Sequence, residues 1–410
     1  MIRWITDTLG TAAYNEAIHE EGDLQIVDVR DLVDKRGNNI GIIQKKIGET
    51  IDILRQGKRV VICCDYGISR SNAIAAGVLS QFEGIPFSDA VQRTVSSTDE
   101  KMVKVQMLSA VRRAVAGCLP ANEDMSMQKT ILVTGGTGLL GSQLVKQFSN
   151  YRIISPSHRQ IDLSKGAMDL DLIVNKENVD RIVHLANPRI YSSNEAMGAS
   201  IVMLKNVIDV CCDNEIKLIY PSSWEIYSGY RSNLLFASES LPPHPKGAYG
   251  ETKAICENLL EYSKINDNLD YLLLRFSPIY GEGDKPKFIY NFIDKAAKNE
   301  EVTAHQYLNG YPILDLLYVD DAISALKLAI ERDLSGSINV GSGVGYSTSD
   351  VAEVIVKQLQ SKSKIQHRKI NGYAPNIVMD ISKAKRVLEW EPRTPLQVGI
   401  VNTIQKSEVR

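Results

Sequence analysis

Two short patterns of unrelated chemistry constrain this chain most. In the first, Cys64 directly follows a run of apolar residues and is separated from Arg70 by five residues. The second places three glycines, Gly135, Gly138 and Gly141, at the start of the remaining sequence. A cysteine in the first setting can attack phosphate, whereas a loop like the second can cradle the pyrophosphate of a dinucleotide. We therefore expect two separate sites.

The totals agree with two or more domains of ordinary soluble character. The chain has 410 residues, which exceeds the size at which one hydrophobic core usually stops growing. Lys and Arg number 47 against 49 Asp and Glu, so no broad positive field favours nucleic acid or a membrane surface as a partner. No apolar run resembles a signal peptide or a membrane span, which predicts a cytoplasmic location. The six cysteines lack zinc-type spacing, and no metal site is expected.

A change of pattern divides the chain. Residues 1–118 alternate helices with a few strands, residues 119–128 carry Pro, Asn and acids without apolar period and predict a linker, and residues 129–410 form the rest. In the last part, strands alternate with helices, which predicts a doubly wound parallel sheet. The predicted strands are residues 131–133, 151–154, 181–185, 217–220 and 272–275. Beyond about Gly281 the regular strand spacing is lost, which is typical of a small substrate-binding subdomain.

The first pattern has the context that a phosphate-attacking cysteine needs. Residues 58–64 predict a buried strand and residues 71–78 a helix, so the Cys64 sulfur should lie at a helix N-terminus. Backbone N–H groups there stabilise a thiolate and can hold a phosphate. Arg70 would grip two phosphate oxygens and stabilise the charge that develops during transfer.

This segment resembles the dual-specificity branch of the protein tyrosine phosphatases over roughly the first 115 residues, through the run Gly67-Ile68-Ser69-Arg70-Ser71. The resemblance implies a cysteine-phosphatase-like α/β domain acting on a phosphorylated substrate. Cys64 would form a phosphocysteine, Ser71 would help the thiolate leave, and Asp34, with Asp31 as runner-up, would protonate the leaving oxygen. The family places His before the nucleophile, where this chain has Cys63. The alternative is a non-catalytic phosphate-binding or recruitment module.

The second pattern is followed by a second set of chemistry-bearing residues. Ser223 follows the predicted strand 217–220, and Tyr249 lies four residues before Lys253 at the start of a predicted helix, which places both on one helical face. Lys253 can favour the tyrosinate form of Tyr249 and hydrogen-bond a cofactor ribose. Ser223 would orient a substrate oxygen while Tyr249 passes its proton.

Residues 129–410 resemble the extended short-chain dehydrogenases/reductases, and among them the nucleotide-sugar epimerases, dehydratases and 4-reductases. Supporting runs are His184-Leu185-Ala186, residues 275–281, 318–322, 339–343 and 380–385. The resemblance implies a Rossmann fold, hydride transfer with NAD(P), a nucleotide-sugar or related sugar substrate, and a possible homodimer. The whole chain is thus interpreted as a bifunctional enzyme, with the choice among epimerase, dehydratase and reductase left open.

The cofactor and the substrate are less closely specified. Residues 155–159, directly after the second predicted strand, contain no acid and include Arg159, so NADP is slightly favoured over NAD. Asp162 and Leu163 resemble the pair that contacts adenine in the family. Leu314 stands where many family members carry an arginine that contacts phosphate, and an unactivated sugar or another carbonyl or hydroxyl compound remains an alternative substrate. The expected cofactor-binding residues are Gly135, Thr137, Gly138, Leu139, Leu140, Gly141, Arg159, Asp162, Leu163, Leu185, Ala186, Tyr249 and Lys253.

Overall fold

A computed structural model describes residues 1–20, 24–116, 129–148, 151–188, 193–282 and 288–408. The predicted linker 119–128 lies outside these residues. The chain forms two compact units, each made of several segments. The first unit comprises Met1–Gln128, His158–Val179 and Asn206–Ile216, and the second comprises Lys129–Ser157, Asp180–Lys205 and Lys217–Arg410. The domain limits predicted from the sequence, 1–118 and 129–410, stay predictions.

The N-terminal part of the first unit is a four-stranded sheet packed with helices. The strands are β1 (Arg3–Trp4), β2 (Leu9–Ala13), β3 (Leu24–Asp28) and β4 (Arg59–Cys64). Their order is β1-β2-β4-β3, with β4 parallel to both neighbours and β1 antiparallel to β2. The helices are α1 (Tyr14–Ala17), α2 (Ile40–Arg55), α3 (Arg70–Glu83), α4 (Phe87–Thr98) and α5 (Val105–Ala116).

Local sequence explains why these elements form. Asn39 caps α2 by accepting a hydrogen bond from the Gly41 N–H at 2.8 Å. Ile43, Ile47 and Ile51 follow at helical spacing and are buried in the core of this unit. The central strand β4 is apolar on both faces, as expected for a strand between parallel neighbours.

The remaining chain adds further helices and strands, of which α7 and the part of α8 from Asn206 onward belong to the first unit. The helices are α6 (Leu139–Gln147), α7 (Met168–Lys176), α8 (Asn194–Asn214), α9 (Ala248–Asp267), α10 (Phe288–Ala297), α11 (Val319–Glu331), α12 (Thr348–Gln358) and α13 (Leu396–Glu408), with a 3₁₀ helix at Trp224–Tyr227 and a π-helical turn at Ala384–Leu388. The strands are β5 (Thr130–Thr134), β6 (Arg152–Ile154), β7 (Arg181–His184), β8 (Lys217–Ser223), β9 (Leu235–Ala237), β10 (Tyr271–Phe276), β11 (Ile279–Tyr280), β12 (Val302–Gln306), β13 (Ile313–Asp315), β14 (Leu317–Tyr318), β15 (Gly336–Val340), β16 (Gly345–Ser347), β17 (Ile365–Lys369) and β18 (Ile377–Met379).

The main sheet of the second unit is a six-stranded, fully parallel sheet of order β15-β10-β8-β7-β5-β6. The chain leaves β5 toward β6 on one side and returns to β7 on the other, so the strand order reverses between β5 and β7. Ligands of such sheets bind outside the carboxyl ends of the strands at this reversal. Thr134 and His184 are paired there in register. The predicted Rossmann-like sheet is therefore confirmed.

One expectation needs correction. The sequence beyond about Gly281 lacks regular strand spacing, yet β15 returns to the main sheet and pairs with β10 along five residues. Smaller sheets also form, of order β16-β13-β18-β9, β12-β17 and β11-β14. Within the described ranges, none of the helices combines the length and hydropathy that a membrane crossing requires.

Candidate functional site

The glycine loop joins β5 to α6 at the reversal of the main sheet. Gly135 has φ +70°, and a Cβ there would lie 2.6 Å from the Ala186 nitrogen. A Cβ at Gly141 would collide with the Gly135 carbonyl oxygen. The loop is closed by the Gly138 N–H, which donates to the Gly135 carbonyl at 3.0 Å, and Thr137 and Gly138 are exposed at its tip. Only glycine allows this close packing, which leaves backbone open for a phosphate group.

The end of β7 supports this loop from the side. The Leu185 N–H donates to the Thr134 carbonyl at 3.2 Å, and the Ala186 N–H donates to the Thr134 hydroxyl at 3.2 Å. The same hydroxyl lies 2.8 Å from Nδ1 of His184. Burial lowers the pKa of His184 to about 3, so the ring is neutral. Its contact with the Thr134 hydroxyl supports the end of β5. The glycine loop, Leu185 and Ala186 thus fit the dinucleotide predicted from the sequence, with Leu139 and Leu140 opening α6 beside them.

The predicted adenine-side residues lie in a segment of the first unit. Arg159 is exposed. The Asp162 carboxylate accepts hydrogen bonds from the Ser164 hydroxyl at 2.6 Å and the Ser164 N–H at 3.1 Å, which lower its pKa. The Leu163 carbonyl accepts a hydrogen bond from the Asn206 amide at 2.7 Å. Asp162 therefore stabilises a local turn, and cofactor contacts from these three residues stay a prediction.

The second unit brings Ser223, Tyr249 and Lys253 onto adjoining elements. Ser223 ends β8, and its hydroxyl accepts the Glu225 N–H at 3.2 Å at the start of the 3₁₀ helix. Tyr249 and Lys253 lie one turn apart on α9, with the Lys253 ammonium 5.8 Å from the Tyr249 ring centroid. A Cβ at Gly250 would lie 2.6 Å from the Glu225 carbonyl oxygen. Glycine at 250 thus lets α9 pack directly on the segment that follows Ser223.

Lys253 has a buried partner that the sequence analysis did not identify. Its ammonium donates to the Tyr220 hydroxyl at 3.1 Å and to the Pro221 carbonyl at 3.0 Å. Burial lowers the pKa of Lys253 to about 8 and raises that of Tyr220. Tyr220 lies on β8, so only the packing of α9 against that strand reveals the contact, and no sequence motif marks it.

The cysteine loop lies between β4 and α3 in the first unit. The Cys64 sulfur is 3.4 Å from the Ser71 hydroxyl. Burial raises the pKa of the Cys64 thiol, but hydrogen bonds from Ser71 and from the N–H groups of Tyr66 and Ile68 outweigh it, and the pKa is lowered. Gly67 has φ +68°, and a Cβ there would lie 2.5 Å from the backbone of Ala12, so glycine lets the loop close against β2.

Arg70 is held at the first turn of α3 by several acceptors. Its Nη1 donates to the Leu32 carbonyl at 2.9 Å and to the Arg30 carbonyl at 3.3 Å. Nη2 donates to the Asp65 carboxylate, and Nε lies 3.5 Å from the Asp34 carboxylate. Asp31 instead pairs with Lys46 at 3.5 Å. The structure therefore brings Asp34 to Arg70 and places Asp31 with another cation.

Cys63 does not share the environment of Cys64. It is fully buried with Ala12, Ala17 and Val61 on one face of the sheet, whereas Cys64 belongs to the larger core cluster. Burial, with Asp28 and Cys64 nearby, raises the pKa of Cys63 to about 12. Cys63 is therefore an uncharged thiol at the position where the resembled phosphatases carry His.

Comparison with known proteins identifies the larger part of the chain. The profile of the NAD dependent epimerase/dehydratase family matches residues 131–341, which include the glycine loop, Ser223, Tyr249 and Lys253. The chain belongs to this family. The resemblance to extended short-chain dehydrogenases/reductases is thereby confirmed, and with it the class of cofactor, NAD(P).

Individual relatives differ in the reactions that their names state. The chain is 28% identical over 303 residues to a putative UDP-glucose 4-epimerase of Methanocaldococcus jannaschii, covering 67% of this chain and 97% of that protein. It is 24% identical over 306 residues to UDP-glucuronic acid decarboxylase 1 of Danio rerio, covering 68% of this chain and 72% of that protein. The crystal structure of UDP-glucose 4-epimerase from Thermotoga maritima superposes with a TM-score of 0.61 at 22% identity, covering 68% and 99% of the two chains. The last comparison establishes the fold.

Proposed function

We propose that the second unit moves hydride between NAD(P) and a carbon of a nucleotide sugar, as an epimerase, dehydratase or reductase. The observation that carries this proposal is Tyr249 and Lys253 on one face of α9, packed beside Ser223 at the end of a central strand. When bound, the dinucleotide accepts and returns hydride. The relatives named above act on UDP sugars according to their names, which supports a nucleotide sugar as the substrate class.

The three side chains divide the work on the substrate. Ser223 donates a hydrogen bond that orients the sugar oxygen. The Tyr249 phenolate takes the proton from that oxygen when it becomes a carbonyl, and the resulting phenol returns the proton when the carbonyl is reduced. The Lys253 ammonium favours the negative form of the phenol through its charge. Its buried hydrogen bonds to Tyr220 and Pro221 hold it against β8, with the Tyr249 ring centroid 5.8 Å away.

We further propose a preference for NADP. The strand β6 ends at Ile154, and the next residues, Ser155 to Arg159, contain no acid that would bind the ribose hydroxyls and exclude a phosphate. Fluorescence titration with NADPH and NADH checks this proposal. Tighter binding of NADPH is expected, and tighter binding of NADH contradicts it.

One experiment separates the three reactions. A panel of nucleotide sugars is incubated with the full chain and NAD or NADPH in heavy water and examined by mass spectrometry, beside a Tyr249→Phe control. Loss of water marks a dehydratase, a reduced product with NADPH consumed marks a reductase, and isomers of equal mass mark an epimerase. Tyr249→Phe is expected to lose about a hundredfold or more in rate. No change in any sugar would overturn the nucleotide-sugar assignment and direct the search to unactivated sugars.

We propose a second activity, a cysteine-dependent phosphatase, for the first unit. The supporting observation is the Cys64 thiol, whose pKa is lowered by the loop N–H groups, with Arg70 at the start of α3. The Cys64 thiolate would attack phosphorus, and Asp34 would protonate the leaving oxygen. Water would then cleave the phosphocysteine and release phosphate, with the Ser71 hydroxyl stabilising the departing thiolate. Arg70 would hold the phosphoryl oxygens in both steps.

Hydrolysis of p-nitrophenyl phosphate by the full chain tests this activity. Wild type is expected to release nitrophenol, and Cys64→Ser is expected to abolish release while retaining phosphate binding. Binding without turnover in wild type would favour the alternative, a module that recruits the enzyme to phosphorylated partners. A panel of sugar phosphates then tests whether the natural substrate is a sugar phosphate.

A further inference from the structure

A small basic cleft lies in the second unit beside the segment that carries Ser223 and Tyr249. Its volume is about 220 Å³, and an adjoining cavity of about 600 Å³ shares Gly229, Tyr230, Arg231 and His244 with it. Ten residues line it: Ser228, Gly229, Tyr230, Arg231, His244, Pro245, Lys246, Tyr373, Ala374 and Pro375. Arg231 and Lys246 are cations, His244 is a third nitrogen donor, and none of these ten described residues is acidic.

The first wall of the cleft is fixed by hydrogen bonds within the segment that lies between the predicted catalytic residues. The Gly229 N–H donates to the His244 carbonyl at 2.7 Å, and the Lys246 N–H donates to the Ser228 hydroxyl at 2.8 Å. The Tyr230 ring meets the His244 ring edge to face, with centroids 5.1 Å apart. A Cβ at Gly229 would lie 2.5 Å from the His244 carbonyl oxygen, so glycine is required for this approach.

The second wall is fixed to the first by strand pairing. β18 follows the wall residues 373–375 and pairs in parallel with β9, which follows Arg231 along the chain. The Leu235 N–H donates to the Asn376 carbonyl, and the Asn376 amide donates to the Asn233 carbonyl, both at 2.8 Å. The Arg231 guanidinium lies 5.8 Å from the Tyr373 ring centroid, across the cleft. The cations are thus presented by a preformed scaffold.

The first wall is connected to the site of the proposed reaction. The His244 N–H donates to the Ile226 carbonyl in the 3₁₀ helix that begins after Ser223. Lys246 comes three residues before Tyr249 along the chain. Elsewhere in the unit, Leu314 packs against the apolar core, and the neighbouring Asp315 carboxylate accepts the N–H groups of Ser342 and Met379. Leu314 is apolar, and the Asp315 carboxylate is negatively charged and already accepts backbone hydrogen bonds. Neither side chain attracts phosphate.

We propose that this cleft binds the diphosphate group of the nucleotide-sugar substrate through Arg231 and Lys246, with His244 as an additional donor. Two cations without a competing acid suit a group that carries more than one negative charge. A single carboxylate needs only one of them. This inference rests on the proposed nucleotide-sugar function and names the residues that recognise the substrate.

Calorimetric titration of the NAD-saturated full chain with UDP and with uridine tests the cleft. Wild type is expected to bind UDP more tightly than uridine. Arg231→Met and Lys246→Met are each expected to weaken UDP binding about tenfold, and their combination is expected to erase the preference for UDP over uridine. Arg231→Lys is expected to restore part of the preference. The matched control is Lys357→Met, which removes an exposed cation of α12.

The outcomes separate this inference from the proposed reaction. Unchanged UDP binding in the double variant, or no preference for UDP over uridine in wild type, would contradict diphosphate binding in the cleft. NADH binding reports folding, and it should be equal in all variants. If the cleft variants lose UDP binding while no nucleotide sugar is converted, the binding site stands and the proposed reaction fails. If sugars are converted and the double variant keeps the wild-type KM, the proposed reaction is supported and diphosphate binding in the cleft is contradicted.

Discussion

At the scale of single residues, the guanidinium of Arg70 already donates hydrogen bonds to groups of the protein itself. Its Nη2 donates to the Asp65 carboxylate, and its Nη1 donates to the Leu32 carbonyl. In the proposed phosphatase reaction, an incoming phosphate would therefore have to displace Asp65, whose negative charge also repels it. Asp65→Asn is expected to raise kcat/KM for p-nitrophenyl phosphate about tenfold, because removing one charge at this range is worth roughly 1 kcal/mol or more.

The matched control for this prediction is Asp89→Asn, which removes an exposed acid from the first turn of α4. It should leave kcat/KM unchanged. A salt titration adds a second readout, since the advantage of Asp65→Asn should shrink as ionic strength screens the charges. A loss of activity in Asp65→Asn would show that Asp65 positions Arg70 and does not compete with phosphate.

Lys253 gives the second unit a defined pH dependence. Burial lowers its pKa to about 8, so it is charged below that pH and neutral above it. Its charge favours the tyrosinate of Tyr249, so kcat/KM should fall by about tenfold per pH unit once the pH exceeds about 8. Lys253→Arg stays charged throughout and should be slower but lack this decline. If kcat/KM of Lys253→Arg declines in the same way, the titration of Tyr249, and not of Lys253, causes the decline.

At the scale of elements, the sequence predicts those strands whose apolar runs are continuous. The residue run 131–133 is buried on both faces as β5, and residues 58–64 correspond to β4. The strand β15 was missed because its sequence, Gly-Ser-Ile-Asn-Val, is half polar. Its place is decided by parallel pairing with β10, more than sixty residues earlier. Such long-range pairing leaves little local signal.

A core substitution in β15 measures what this missed strand contributes. Ile338 is 1% exposed and lies in the middle of the strand. Ile338→Ala removes apolar contacts and leaves a cavity, which should cost about 2–5 kcal/mol. A lower midpoint for the loss of NADH binding on heating is the expected result. His367→Ala, on the exposed strand β17, should leave the midpoint within about a degree. Equal midpoints would mean that β15 is dispensable for the sheet.

The site shows the same division between local and long-range information. Tyr249 and Lys253 were predictable because a spacing of four places them on one face of α9. The Cys64 loop was predictable because a strand, a loop and a helix follow in order along the chain. Tyr220 was not, since its contact with Lys253 depends on how α9 packs against β8. The basic cleft was not either, because strand pairing brings Tyr373 to Arg231.

At the scale of the whole molecule, each unit has a hydrophobic core of its own and carries one of the two proposed sites. One buried cluster surrounds the elements next to Cys64, and another surrounds the six-stranded parallel sheet. Because neither proposed mechanism uses a residue of the other, the two activities should be separable by single substitutions. Cys64→Ser should abolish phosphate-ester hydrolysis and leave nucleotide-sugar conversion within about twofold of wild type.

Tyr249→Phe should give the reverse pattern, with sugar conversion lost and hydrolysis unchanged. Both activities are measured on the same preparation of each variant, with NADH binding as the report of a folded second unit. Loss of both activities in either variant would contradict independent sites, provided that NADH binding is retained. It would mean that a substitution at one site changes the activity of the other.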